Sequence, residues 1–342
     1  MGNSTDKCII ALDAMGGDNA PLVTVRGASQ ALKESQNRFD VLLVGKKSEI
    51  ERIIEEENLQ FPPENIIDAP DVVAMDDIPT TALKSKDTSM AVCIDLIKQG
   101  KANAFVSAGN TGAVMALSTI RLGRIEGINR PALGAIVPTL KNKCLVLDVG
   151  ANVDTKANNL FEFAVMGSVY MQEIFGVNNP KIGLLSVGEE DSKGNEVTLT
   201  ANKLLRNSKL NFFGNVEGRD VLKGEVDVIV CDGFVGNVVL KFAEGLLHFL
   251  VKKLRESAEE SFVNKLKIGV SKGVLREILK VFDYQEYGGV PLFGVNGITI
   301  IGHGSSSDLA IKNMIFRAYE TYEHRIIDRI REAIQRFHLN NS

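Results

Sequence analysis

Seven times along the chain, a short aliphatic or β-branched run gives way to a Gly-rich polar turn that opens a helix-like segment. The runs are CIIAL before Asp13, VLLVG at 41–45, AFVSAGNTG at 104–112 and CLVLDVGAN at 144–152. They continue with IGLLSVGEE at 182–190, VDVIVCDGF at 226–234 and ITIIGHGSS at 298–306. Parallel strands are covered on both faces and need a crossover between them, so this alternation predicts an α/β fold. The expected architecture is three-layered, α/β/α, with one wide, doubly wound, mostly parallel sheet. At 342 residues, positions 1–342 form a single α/β domain or two intimate lobes.

Apolar residues at three-to-four spacing predict helices over 48–58, 89–99, 160–175 and 198–207. A last helix over 307–337 carries Leu309, Ile311, Ile315, Ala318, Tyr322, Ile326 and Ile330 near one stripe, fit to close the core or to pair subunits. Residues 238–287 depart from the alternation and read as a protruding helical excursion without a strand-like run. Between Lys241 and Lys280 it holds nine Lys or Arg against five Glu, although the whole chain is acidic, with a net charge of -4. An acidic chain offers nucleic acid no general attraction, so a nucleic-acid partner is not expected.

Cys8, Cys93, Cys144 and Cys231 are widely spaced and form no C-x-x-C pair, so they read as reduced thiols of a cytoplasmic protein. No stretch reads as long and apolar enough to cross a bilayer, and the N-terminus lacks a signal-peptide layout. Contact with a membrane surface stays open.

In open α/β sheets, ligands sit beyond the carboxyl ends of the strands, where helix N-termini and free N–H groups favour an anion. The seven turns are expected to gather there, on one rim. The turn 13–21 offers Asp13, Gly16 and Gly17 but no G-x-G-x-x-G, and the chain has no G-x-x-x-x-G-K-[ST], so dinucleotide and P-loop readings have no support. The turn 107–113 offers Asn110 and Thr111 between Gly109 and Gly112, glycines that let backbone N–H groups approach a phosphate. Asn152 ends the fourth run in the same way.

Lys193 sits among acids in 186–196, either as a cation at the strand ends or as a surface lysine paired with Glu189 or Asp191. Asn237 is either a helix N-cap or an amide that polarises a carbonyl. Of the four histidines, only His303 lies on a strand-end turn, and no two are spaced for a metal. The serines beside His303 fit capping of the last helix, since no G-x-S-x-G elbow exists. Cys231, inside VDVIVCD, reads as a buried inert thiol rather than an acyl-transfer nucleophile.

Taken in order, IALDAMGGDNAP, SAGNTGAVMA, RPALGAIVPT, LDVGANVD, SVGEEDSKGNE, CDGFVGNVVLK and IIGHGSSS cover nearly the whole chain. Together they resemble the bacterial phosphate acyltransferases of phospholipid synthesis. The resemblance implies a fold related to isocitrate and isopropylmalate dehydrogenases and a homodimer working without metal, nucleotide or other cofactor. It implies transfer of a fatty acyl group from acyl carrier protein to inorganic phosphate, the acyl phosphate then feeding a membrane-bound glycerol-3-phosphate acyltransferase. Lys193 and Asn237 align with the family's proposed catalytic positions, and Asp13, Gly16, Gly17, Asn110, Thr111, Asn152 and His303 are the residues expected to bind phosphate or the acyl donor.

The basic helical excursion, with Lys252, Lys253 and Arg255, then fits docking of an acidic carrier protein, and its Leu246, Leu247, Phe249, Leu250 and Val251 fit a membrane surface. Other readings are a phosphotransacetylase-like enzyme using acyl-coenzyme A and a non-catalytic membrane-associated scaffold. An oxidoreductase would need an aspartate cluster for metal and a nicotinamide site, and neither stands in the expected form.

Overall fold

All seven aliphatic runs form strands, and four more strands complete a continuous eleven-stranded sheet. The structure is a computed structural model and describes residues 7–261, 264, 266, 270, 273–275, 277, 282 and 284–341. The chain runs β1 (Cys8–Asp13), α1 (Leu22–Glu34), β2 (Phe39–Gly45), α2 (Lys47–Glu56), β3 (Ile66–Asp68), α3 (Ser89–Lys98) and β4 (Ala104–Ser107). Next come α4 (Thr111–Leu117), β5 (Ala132–Pro138), β6 (Lys143–Leu147), α5 (Ala157–Phe175), β7 (Ile182–Leu185), α6 (Glu196–Arg206) and β8 (Phe212–Val216). It closes with β9 (Val228–Val230), α7 (Gly233–Glu260), β10 (Val290–Phe293), β11 (Ile298–Ile301), α8 (Asp308–Glu323) and α9 (Ile326–Asn341).

The strand order is β3-β2-β1-β4-β11-β10-β5-β6-β9-β7-β8. Successive strand residues point to opposite faces, and the core follows that period. Ala11, Phe105, Leu133, Val146 and Ile229 belong to one apolar layer that runs along both halves of the sheet and receives α3 and α4. On the other face, Ile10, Leu12 and Val106 pack with residues of α1 and α8, whereas Leu145, Leu147 and Val230 pack with residues of α5 and α9. Helices therefore cover both faces, as the alternation predicts.

Strand direction corrects the expectation of a single rim. β1, β2, β3, β4 and β11 run parallel, and β6, β7, β8 and β9 run parallel. Three antiparallel steps, β11 to β10, β10 to β5 and β5 to β6, lie between the two sets and reverse the direction. The turns after β1, β4 and β11 thus leave one rim of the sheet, and those after β6, β7 and β9 leave the opposite rim.

Two helices also differ from expectation. The last one is broken, because Arg325 takes a left-handed φ of 52° between α8 and α9. The excursion begins as α7, whose 28 residues have the length and apolar composition to span a bilayer, which corrects the reading that no stretch does. Length and composition are all that supports a span. Only 6% of its apolar window is buried, which sets it apart from a core helix. Lys265, Lys267, Lys272, Arg276 and Lys280 of the excursion lie outside the described residues.

Candidate active site

Asp148 organises the rim formed by β6, β9 and β7, three neighbouring strands. Its buried carboxylate accepts hydrogen bonds from the N–H groups of Leu133, Gly150, Ala151 and Asn152, at 2.8 to 3.1 Å, and from the Asn152 side chain at 2.8 Å. Asn152 donates also to the carbonyl of Pro131, so its amide holds the turn. Onto this turn packs the start of α7. A Cβ on Gly233 would lie 2.6 Å from the carbonyl oxygen of Asn152, and one on Gly236 would overlap that of Asp148, so both positions require glycine.

Asp232 is the N-cap of α7, its carboxylate accepting from the N–H of Val235 at 2.9 Å. The capping role open to Asn237 is therefore taken, and the Asn237 side chain stands exposed beside Gly150, whose φ is 139°. Cys231 is buried, donates to the carbonyl of Asp148 at 3.4 Å, and burial pushes its thiol well above the usual range. The thiol is buried, as read from the sequence.

Lys193 comes from the loop after β7. The acids expected to pair with it are engaged elsewhere: Glu189 with Arg219 at 3.4 Å and Asp191 with Arg206 at 2.5 Å. Hydrogen bonds from Arg206 and Asn202 hold the Asp191 carboxyl below the usual range. Among the described residues, no ion pair forms at the Lys193 ammonium. Sequence reasoning missed what shapes this loop. Buried Asn215 of β8 donates to the carbonyls of Glu190 at 2.9 Å and Lys193 at 3.4 Å. Its own carbonyl accepts from Asn202 of α6, also buried, at 3.0 Å. β8 had no sequence signal of its own.

The opposite rim brings the remaining binding candidates together. Asp18 N–H donates to the carbonyl of Gly304 at 2.7 Å, joining the turn after β1 to the turn after β11. Gly16 sits so close to Asp13, Ser107 and Gly109 that a Cβ would lie within 2.9 Å of each. Asp13 is buried, and burial pushes its carboxyl up against hydrogen bonds from Ser107 at 2.7 Å and the N–H of Met15. Asn110 caps α4 and donates to the carbonyls of Ala74, Met75 and Asp77, so its amide staples that loop while Thr111 stays exposed. Gly17 has a φ of 117°, and His303 Nδ1 lies 2.8 Å from Ser305 Oγ. Ser307 caps α8, as expected.

Lys252, Lys253 and Arg255 lie exposed near the far end of α7, Lys253 paired with Glu256 at 2.7 Å.

Residues 8–329 match the family described as fatty acid synthesis protein. A phosphate acyltransferase of Heliobacterium modesticaldum is 49% identical over 327 residues, covering 95% of this chain and 97% of its own. One from Thermosynechococcus vestitus is 50% identical over 330 residues, covering 95% of each chain. Among solved structures, a phosphotransacetylase from Streptococcus pyogenes gives a TM-score of 0.61 at 17% identity, covering 93% of this chain and 94% of its own. The EutD phosphotransacetylase from Staphylococcus aureus gives 0.60 at 16% identity, with 92% and 94% covered. The structures share the fold.

A protein with this α/β sheet and these relatives is an acyltransferase enzyme. More closely, the chain belongs to the phosphate acyltransferase family of fatty acid and phospholipid synthesis.

Proposed function

We propose that the enzyme transfers a fatty acyl group from acyl carrier protein to inorganic phosphate, with Lys193 and Asn237 as its catalytic residues. The observation that carries this reading is that the two acids expected to pair with Lys193 are held by Arg219 and Arg206, and that no ion pair forms at its ammonium among the described residues, Glu190 being the one acid left beside its side chain. Phosphate dianion is a usable nucleophile at neutral pH, so the site must hold it and stabilise the tetrahedral oxyanion. A phosphate oxygen attacks the thioester carbonyl carbon. The C–S bond then breaks, its electron pair leaves on sulfur, and the thiolate takes up a proton as acyl phosphate departs. Lys193 neutralises phosphate or the oxyanion, and the Asn237 amide donates a hydrogen bond to one of them.

Losing one such donor costs roughly a hundredfold or more in turnover. Asn237→Ala and Lys193→Ala are therefore expected to fold and to lose at least that much phosphate-dependent cleavage of palmitoyl-acyl carrier protein. Wild-type rates in both would refute the assignment.

The phosphotransacetylase fold of the solved relatives favours one alternative donor, acyl-coenzyme A. Formation of acyl phosphate from palmitoyl-coenzyme A at the carrier-protein rate would support it. The product would supply a membrane-bound glycerol-3-phosphate acyltransferase.

The carrier protein docks on Lys252, Lys253 and Arg255, about 24 Å along α7 from Asn237 at about 1.5 Å per residue. The exposed apolar side chains of Leu246, Phe249 and Leu250 on α7, with half-buried Leu247 and Val251 beside them, support a homodimer with peripheral membrane contact there. Light scattering and co-sedimentation with anionic vesicles read these two properties directly; a monomer that stays in the supernatant would exclude both.

A further inference from the structure

Around Lys193 and Asn237, the turns that build the rim expose large apolar side chains. Val187 is 82% exposed, Val153 69%, Phe234 61% and Val238 53%. Single exposed apolar residues are ordinary on a protein surface, whereas a group of them beside polar groups marks a place where something binds. Here each belongs to a turn that also supplies the site. Val153 follows Asn152. Val187 precedes Gly188, whose missing Cβ would lie 2.8 Å from the Lys193 side chain. Phe234 and Val238 stand three positions before Asn237 and one after it, four apart and so on one face of α7.

Their exposure is imposed by the backbone. Gly233 and Gly236 lock the first turn of α7 against 148–152, which turns Phe234 and Val238 outward. The loop of Val187 is fastened on both sides, the Ser186 N–H donating to the Val216 carbonyl at 2.8 Å and the Ser186 hydroxyl to that of Lys193 at 3.2 Å. A cation on a rim whose adjacent turns, after the neighbouring strands β6, β9 and β7, carry fixed and exposed apolar groups suits a ligand with an anionic reacting end and a hydrocarbon body.

We infer that Val153, Val187, Phe234 and Val238 form a collar that seats the part of the fatty acyl chain next to the thioester carbonyl. This rests on the proposed roles of Lys193 and Asn237, and it makes the collar the determinant of chain-length preference. A second copy of the chain is the competing occupant, and the test separates the two.

The double variant Val153→Ser/Val187→Ser and the single variant Phe234→Ser are assayed with palmitoyl and acetyl thioesters of acyl carrier protein. One methylene in an apolar pocket is worth about tenfold or more in discrimination, so the palmitoyl-to-acetyl ratio of kcat/KM should fall at least about tenfold. Leu140→Ser, an 87% exposed position between β5 and β6, should keep the wild-type ratio. An unchanged ratio, a parallel loss with both donors, or a loss accompanied by a changed oligomeric state in light scattering would each overturn the collar. Lys193→Ala in the same series reads the catalytic assignment alone: wild-type turnover there would remove that assignment, whereas the ratio in the serine variants reads the collar.

Discussion

Asn215 and Asn202 show how a residue without chemistry of its own can set the position of one that has it. A buried amide left without partners costs about 1–3 kcal/mol, so this pair ties the 186–195 loop firmly to β8 and α6. Asn215→Ala frees the carbonyls of Glu190 and Lys193 and leaves the Asn202 amide short of an acceptor. If Lys193 is catalytic and Asn215 positions it, kcat should fall about tenfold or more while KM for the acyl donor changes little. The decisive measurement is a double-mutant cycle. On a Lys193→Ala background, Asn215→Ala should cost no further kcat; an additive loss would show that Asn215 acts on something other than Lys193. The sequence pointed to Lys193 and Asn237 through their place in strand-end turns, and to their catalytic roles only through the family motifs. It could not reveal Asn215, because its partners lie 13 to 25 positions away across a loop and a helix.

Seven strands were legible because each pairs an aliphatic run with a Gly-rich turn, and that pairing is what a parallel strand entering a helix needs. β3, β5, β8 and β10 lack it. β3 has three residues, β5 and β10 each contain a proline, and β8 has a glycine at a φ of 134° within it. Two of the missed strands, β5 and β10, are the ones that reverse the sheet. A strand covered on both faces reads as the same apolar run in either direction, so the two rims could not be separated from sequence. The break at Arg325 was hidden for a related reason: Ile326 and Ile330 resume the apolar stripe after it, and periodicity alone records no single left-handed residue. The excursion was read as protruding from its break with the strand alternation, and the low burial of α7 agrees; periodicity alone would not have said so, since a stripe that packs inward and one that awaits a partner look alike.

The molecule as a whole is acidic, with a net charge of -4, yet exposes Lys252, Lys253 and Arg255 together on the far part of a helix whose first turns alone pack on the core. Overall repulsion of an acidic partner combined with a local basic patch selects an orientation: the partner is attracted only where the patch is. If acyl carrier protein is the donor, that patch aligns its approach along α7 toward Asn237. Reversing all three to Glu changes the charge of one helical turn without touching the catalytic rim. At low salt, KM for palmitoyl-acyl carrier protein should rise roughly tenfold with kcat little changed. Surface charges are screened beyond about 10 Å at 0.1 M salt, so the difference from wild type should shrink as salt is added. A small uncharged palmitoyl thioester should show no rise at any salt. Equal KM values for the carrier-protein donor in variant and wild type, or an equal rise for the uncharged donor, would remove α7 from carrier recognition.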